Sequence, residues 1–184
     1  GNSFFTLITR NDGQIYQLVS FLIENGADPN MPDKNGIYPL EYAIYLNSSN
    51  YVNALISSGK IDYSIRLKSK KPINRNQSMK MDDETFLHIA TRSDNDRILS
   101  AFLRNKLIDI NATDSYGETP LMKACRVRNI EAINLLFNED DLDYLHCNNE
   151  GDDALKIVQK MFNINKKFNP VKTKSKYLEL LKAS

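Results

Sequence analysis

His88 stands close in sequence to Asp82, Asp83 and Glu84. A histidine among carboxylates can move a proton near neutral pH, so this grouping is the first candidate for acid–base chemistry. The run Glu139-Asp140-Asp141-Leu142-Asp143 offers oxygen ligands to calcium. It lacks the alternating Asp/Asn spacing, the glycine and the terminal glutamate of a calcium loop, and a solvated turn is the better reading. The two cysteines, Cys125 and Cys147, are too few and too isolated for a disulfide framework or a zinc site. Cys125 lies beside Ala124 and reads as a packed thiol, and His146 has no partner set. No phosphate-binding loop, dinucleotide fingerprint, nucleophile elbow or paired-histidine zinc motif occurs. These signs point away from an enzyme, and no cofactor and no metal is expected.

Positive charge gathers in one segment. Ser64–Met81 holds six Lys/Arg and no acid. Its lack of apolar periodicity predicts an exposed, mobile insertion. A solvated loop, an electrostatic contact for an acidic partner and a segment tuned by phosphorylation at Ser69 or Ser78 all fit. Lys68-Ser69-Lys70-Lys71 is short for a nuclear-import tract. Nucleic acid is a weaker partner, because no aromatic residue is interleaved with these charges for base stacking. The net charge of +1 gives no global pull toward polyanions. No apolar run is long enough to span a bilayer, and no secretory segment opens the chain. Two unpaired cysteines fit a reducing compartment, intracellular and either cytoplasmic or nuclear.

The elements that carry these residues recur. Asp28, Asp62, Asp109 and Asp143 are separated by 34, 47 and 34 residues, and Leu40, Leu87, Leu121 and Leu155 by 47, 34 and 34. A period near 34 marks stacked helix pairs. In the clearest unit, Gly117 makes a turn, Thr119 caps a helix and Pro120 suits its first position. A second helix carries the doublets Ala132-Ile133 and Leu136-Phe137. Similar doublets are Leu18-Val19 with Leu22-Ile23, Tyr51-Val52 with Leu55-Ile56, and Ile98-Leu99 with Phe102-Leu103. Their broad apolar stripe must be buried by a neighbouring pair.

The segments D-K-N-G-I-Y-P-L-E-Y-A at Asp33–Ala43 and D-S-Y-G-E-T-P-L-M-K-A at Asp114–Ala124, with E-N-G-A-D-P-N at Glu24–Asn30, resemble the ankyrin-repeat family. The resemblance implies an all-α solenoid of about five stacked helix pairs with short turn or hairpin connections, in a single domain spanning 1–184. Its units are about 3–30, 31–63, 80–111, 112–145 and 148–184, with insertions at 64–81 and 163–173. The first helix, Phe4 to Arg10, matches poorly. Lys166-Lys167 stand where an apolar doublet is expected, so the last outer helix is predicted at Lys174–Ala183, with a polar outer side suited to a terminal cap.

The same resemblance implies non-catalytic protein–protein recognition and makes His88 a structural residue between repeats. Two residues after the helix alanine stand Tyr45, Arg92, Arg126 and Lys160, a position that in the family faces the concave groove. The three cations would form a positive ladder there, beside the largely apolar column Leu46, Ser93, Val127 and Met161. Turn tips with Lys34, Asn35 and Ile37, then Ser115, Tyr116 and Glu118, then Asn149, Glu150 and Asp152, would add contacts, Ile37 and Tyr116 as exposed apolar groups. The expected partner is an extended protein segment with acidic and hydrophobic side chains. Two alternatives stand beside it: a regulatory or targeting segment of a larger enzyme or channel, and a binder of an anionic ligand or nucleic acid.

Overall fold

The computed structural model describes residues 14–68 and 82–161, with 178, 179 and 182. Eight helices are found among them: α1 Ile15–Glu24, α2 Pro39–Tyr45, α3 Ser49–Ser57, α4 Phe86–Ala90, α5 Asp96–Asn105, α6 Pro120–Arg126, α7 Ile130–Phe137 and α8 Ala154–Met161. Strands β1 Leu67–Lys68 and β2 Asp82–Glu84 form one antiparallel pair. The expected helices Phe4 to Arg10 and the loop 163–173 lie outside the described residues. Of Lys174–Ala183, Leu178, Glu179 and Lys182 are described and helical, and Leu178 packs against the core.

Local chemistry sets the helix boundaries. The Thr85 and Thr119 hydroxyls accept from the backbone N–H of His88 and Met122, and Ser48, Asn95 and Asn129 cap α3, α5 and α7 in the same way. Each such cap is worth about 1 kcal/mol. Pro39 and Pro120 open α2 and α6, where a missing N–H costs nothing. Asn47 and Arg128 take left-handed φ of 56° and 54° just after these inner helices and turn the chain into the outer ones.

The helices stack in two rows. The outer row runs α1, α3, α5, α7, and the inner row α2, α4, α6, α8, each helix touching the next in its row. Leu40, Leu87, Leu121 and Leu155, the leucines that marked the period, are all buried. So are Tyr51 and Val52, Ile98 and Leu99, and Ala132 and Ile133 from the outer doublets. Such a leucine cut to alanine costs about 2–5 kcal/mol.

Hairpins precede the inner helices. Asp33 N–H donates to the Ile37 carbonyl at 2.9 Å, Asp114 N–H to Glu118 at 3.0 Å and Asn148 N–H to Asp152 at 3.0 Å. In the third unit Leu67 pairs with Glu84 in the corresponding place. The extra residues of the 47-residue interval therefore fall, in sequence, between Leu67 and Glu84. The first residues of the basic segment 64–81 belong to the packed fold. Leu67 is 1% exposed and Ile65 packs against the core, because they are hairpin stem and not loop. Arg66, counted among the insertion's charges, donates to the Asp83 and Thr113 carbonyls at 3.4 and 3.1 Å. Ser69 and Ser78 lie outside the described residues.

Candidate functional site

Eight residues before each expected groove cation stands an acid that closes a hairpin. Both Arg92 guanidinium nitrogens, Nη1 and Nη2, donate to the Glu84 carboxylate, each at 2.7 Å. Arg126 Nε donates to Glu118 Oε1 and Oε2 at 2.9 and 3.0 Å, and its Nη2 binds the same carboxylate. Lys160 pairs with Asp152 and lies 4.0 Å from Glu150. The expected ladder of free cations is thus compensated at every rung. Glu118 is also corrected: it is 3% exposed and closes a hairpin rather than standing open at its tip. Ile37 is buried too, because it occupies the same hairpin-closing position.

The acids are covered and the cations are not. The side chains of Glu84, Glu118 and Asp152 are 1%, 4% and 9% exposed, whereas those of Arg92, Arg126 and Lys160 are 16%, 38% and 61% exposed. Cation exposure thus rises along the stack. Burial alone would raise the Glu118 carboxyl, but hydrogen bonds from Arg126 and Lys123 outweigh it and hold it below its ordinary range. The bond to Glu118 in turn raises Arg126.

Lys123 completes the cluster and was not singled out from the sequence. Its ammonium lies 2.6 Å from Asp114 Oδ2, 2.9 Å from Glu118 Oε2 and 3.4 Å from Glu84 Oε1. Burial would lower this amine, yet bonds to Asp114 and Glu118 raise it above its ordinary value. The signal was in the period: Ile89 and Ile157 stand 34 residues either side, so Lys123 is a charge in an apolar column. Three carboxylates (Glu84, Asp114, Glu118) meet three cations (Arg92, Lys123, Arg126), and the cluster is balanced. Desolvated ions persist only when paired in this way.

Above this cluster lies an open pocket of about 370 Å³. Its walls include Tyr116, Arg126, Val127 and Asn149, with Glu84 and Glu118 below. Tyr116 is 42% exposed, its hydroxyl donating to Asp82 Oδ2 at 2.8 Å and its ring 5.8 Å from Lys123 Nζ. The hairpins of the fourth and fifth units, Asp114–Glu118 and Asn148–Asp152, are fixed to each other. Asn149 N–H donates to the Tyr116 carbonyl and its side-chain amide to the Ser115 carbonyl, each at 3.0 Å. Gly117, at φ +71°, faces Asn149 so closely that a Cβ would come within 2.5 Å of its Oδ1.

Of the expected contact residues, Arg92, Tyr116, Glu118, Arg126 and Val127 border this pocket. Lys34 and Asn35 are exposed on the second hairpin. Leu46 and Tyr45 are half-buried against the core, and burial followed by Glu41 pushes the Tyr45 phenol up. Ser93 is used between units, donating to Asn47 Oδ1 at 2.7 Å. The tip residues Asn149 and Glu150 border the pocket as well, and so does Asn148, which was not singled out from the sequence because hairpin residues carry no periodic apolar signal.

His88 is fully buried, with Nδ1 2.8 Å from the Thr85 hydroxyl and Nε2 2.9 Å from the Glu118 carbonyl. It ties α4 to the following hairpin. Burial lowers its pKa, which keeps the ring neutral near pH 7. Cys125 is buried and its thiol pushed up to about 12 by desolvation. Neither is placed as a reactive group. Among the described residues no group of three His, Cys, Asp or Glu could hold a metal, and no helix is long and apolar enough to cross a membrane.

Two family models for ankyrin repeats match this chain, one over residues 65–150 and one over 16–56. The chain belongs to the ankyrin-repeat family. It is also 32% identical over 122 residues to a protein of Acanthamoeba polyphaga mimivirus named as an ankyrin repeat protein. That match takes in 66% of this chain and 10% of the relative, so the chain spans about a tenth of that protein's length. Ankyrin repeats in general are protein–protein interaction modules and are typically non-catalytic.

Proposed function

We propose that this ankyrin array binds an extended segment of another protein in the groove between the hairpins of its fourth and fifth units. The observation that carries the reading is the open 370 Å³ pocket bordered by Tyr116, Arg126 and Val127. Tyrosine and arginine dominate binding energy where they are partly shielded and firmly held. Here Arg126 is held by Glu118, and Tyr116 by Asp82. A site already ordered loses little conformational entropy on binding. The acidic character first expected of the partner loses its support, because the cations it would neutralise are already paired. The extended shape keeps its support, since residues of three successive units, from Glu84 to Glu150, line the pocket.

Selection of a displayed random-peptide library on the full chain tests the reading. Enriched peptides should bind the wild type and Asn53→Asp, an exposed change on α3, but not Val127→Asp. Binders indifferent to Val127→Asp, or no binders at all, would overturn it.

A further inference from the structure

The charge balance and the geometry of Arg126 together point to what the pocket selects. Arg126 presents its Nε and Nη2 edge to Glu118. Its side chain is nonetheless 38% exposed and borders the cavity. What remains for a ligand is the flat of the guanidinium and the opposite edge. A paired guanidinium is a poor anion receptor, because its charge is already met by a buried carboxylate. Its face is still a good stacking surface, since the ion is planar, weakly hydrated and fixed in orientation.

The surroundings fit the same use. Tyr116 supplies an aromatic wall and Val127 an apolar one, while Asn149 supplies polar atoms at the rim. Glu150, exposed at the rim, adds negative charge on the approach, which disfavours an acidic ligand further. The cavity volume of about 370 Å³ suits a single large side chain with adjoining backbone.

We infer that the pocket is an aromatic-anchor site: a partner segment inserts one uncharged aromatic side chain, which stacks on the Arg126 guanidinium between Tyr116 and Val127. This rests on the groove reading above and names its specificity. Arg126 reads the ligand through its plane, and Glu118 acts as a positioning residue that holds that plane.

The test uses the full chain with isotope labelling and two small probes, N-acetyl-tryptophanamide and N-acetyl-aspartate amide. The tryptophan probe should shift the Arg126 Nε–Hε and the Tyr116 and Val127 signals, with an affinity in the millimolar range. The aspartate probe should leave them in place. Arg126→Lys should weaken the tryptophan probe about tenfold, because a compact ammonium offers no plane. Tyr116→Phe, which keeps the ring and removes the hydroxyl, should retain binding and serves if the lysine variant does not fold. Stronger shifts with the aspartate probe, no shift with either, or loss of binding in Tyr116→Phe with none in Arg126→Lys would each overturn the inference. Peptide binders that depend on Val127 yet lack an aromatic residue would overturn it alone, leaving the groove reading intact.

Discussion

Lys123→Ile tests whether the buried charge cluster is held by electrostatics or by shape. Isoleucine is the residue at the matching places of the neighbouring units, Ile89 and Ile157, each 2% exposed. The side chain should therefore fit. What is lost is the cation 2.6 Å from Asp114, 2.9 Å from Glu118 and 3.4 Å from Glu84. Glu84 and Glu118 keep their arginines, and Asp114 keeps N–H bonds from Tyr116 and Glu118 at 2.9 and 2.8 Å on Oδ1 only. Breaking a buried pair costs about 3–5 kcal/mol. The new apolar side chain returns about 1–2 kcal/mol. A net loss of about 2–3 kcal/mol lowers Tm by about 4–12 °C for a chain of this size. Chemical denaturation should accompany the melt, because a repeat array can unfold unit by unit.

The pH dependence of this loss separates charge from packing. Lys123 has a raised folded pKa, so its contribution is complete below its unfolded value of 10.5 and is lost as pH rises through the raised value. Glu118 has a lowered one, so its contribution is present above 4.5 and is lost as pH falls through the lowered value. The Glu118 contribution that Lys123 supports fades as pH falls, so the gap between Lys123→Ile and wild type should narrow below pH 4.5. Adding Asp114→Asn should recover most of the loss at pH 7. That substitution copies the fifth unit, where Asn148 Oδ1 accepts from Glu150 and Asp152 at 3.0 and 2.9 Å. A single variant within 2 °C of wild type, or a double variant no better than the single, refutes the electrostatic account.

Lys106→Gly should raise stability by about 0.5–1 kcal/mol, because Lys106 sits at φ 46° where Gly59 closes the equivalent helix α3; an unchanged or lowered midpoint in urea counts against this. His88→Gln should flatten the fall in Tm between pH 7 and 5. The lowered folded pKa of His88 makes the wild type lose stability as pH drops from 6.5 through that value, and an unchanged slope would place the titrating group elsewhere. A thiol reagent at pH 8 should label Cys147 at once and Cys125 only on unfolding, since Cys147 is exposed and the buried Cys125 is pushed up to about 12; two fast equivalents by mass would contradict the packing of α6.

The stack was legible because its signal is repeated apolar spacing, which burial enforces at every unit. Leu40, Leu87, Leu121 and Leu155 carry it, and all four are buried. The recurrence of Arg92, Arg126 and Lys160 at intervals of 34 was legible for the same reason. Its charge state was not, although Glu84, Glu118 and Asp152 repeat at the same interval of 34. Acid and cation are separated by eight residues across a hairpin–helix junction, and no single helical period brings them together. Pairs three or four apart on a helix can be read directly; a pair across a turn must wait for the turn geometry. The hairpin stem at Ile65 and Leu67 was hidden similarly, since two apolar residues are too few to set a strand period.

The second unit shows what these ion pairs are for. There Ile37 and Tyr45 stand in the places of Glu84 and Arg92, and α2 still stacks against α4. The frame therefore accepts an uncharged pair, and often such replacement is neutral or stabilising. The salt bridges of the third, fourth and fifth units are not demanded by stacking. What they add is a cation fixed against a buried acid, increasingly exposed toward the C-terminal units. That gradient, from 16% at Arg92 to 38% at Arg126, sets the guanidinium most open to a ligand beside Tyr116 and Val127, where the pocket opens. Replacing the Arg126–Glu118 pair by Leu and Ile, an uncharged pair such as the second unit accepts, should then keep the fold and remove the stacking plane. Retained thermal stability with lost peptide binding is the expected outcome, and equal loss of both would return the pair to a purely structural role.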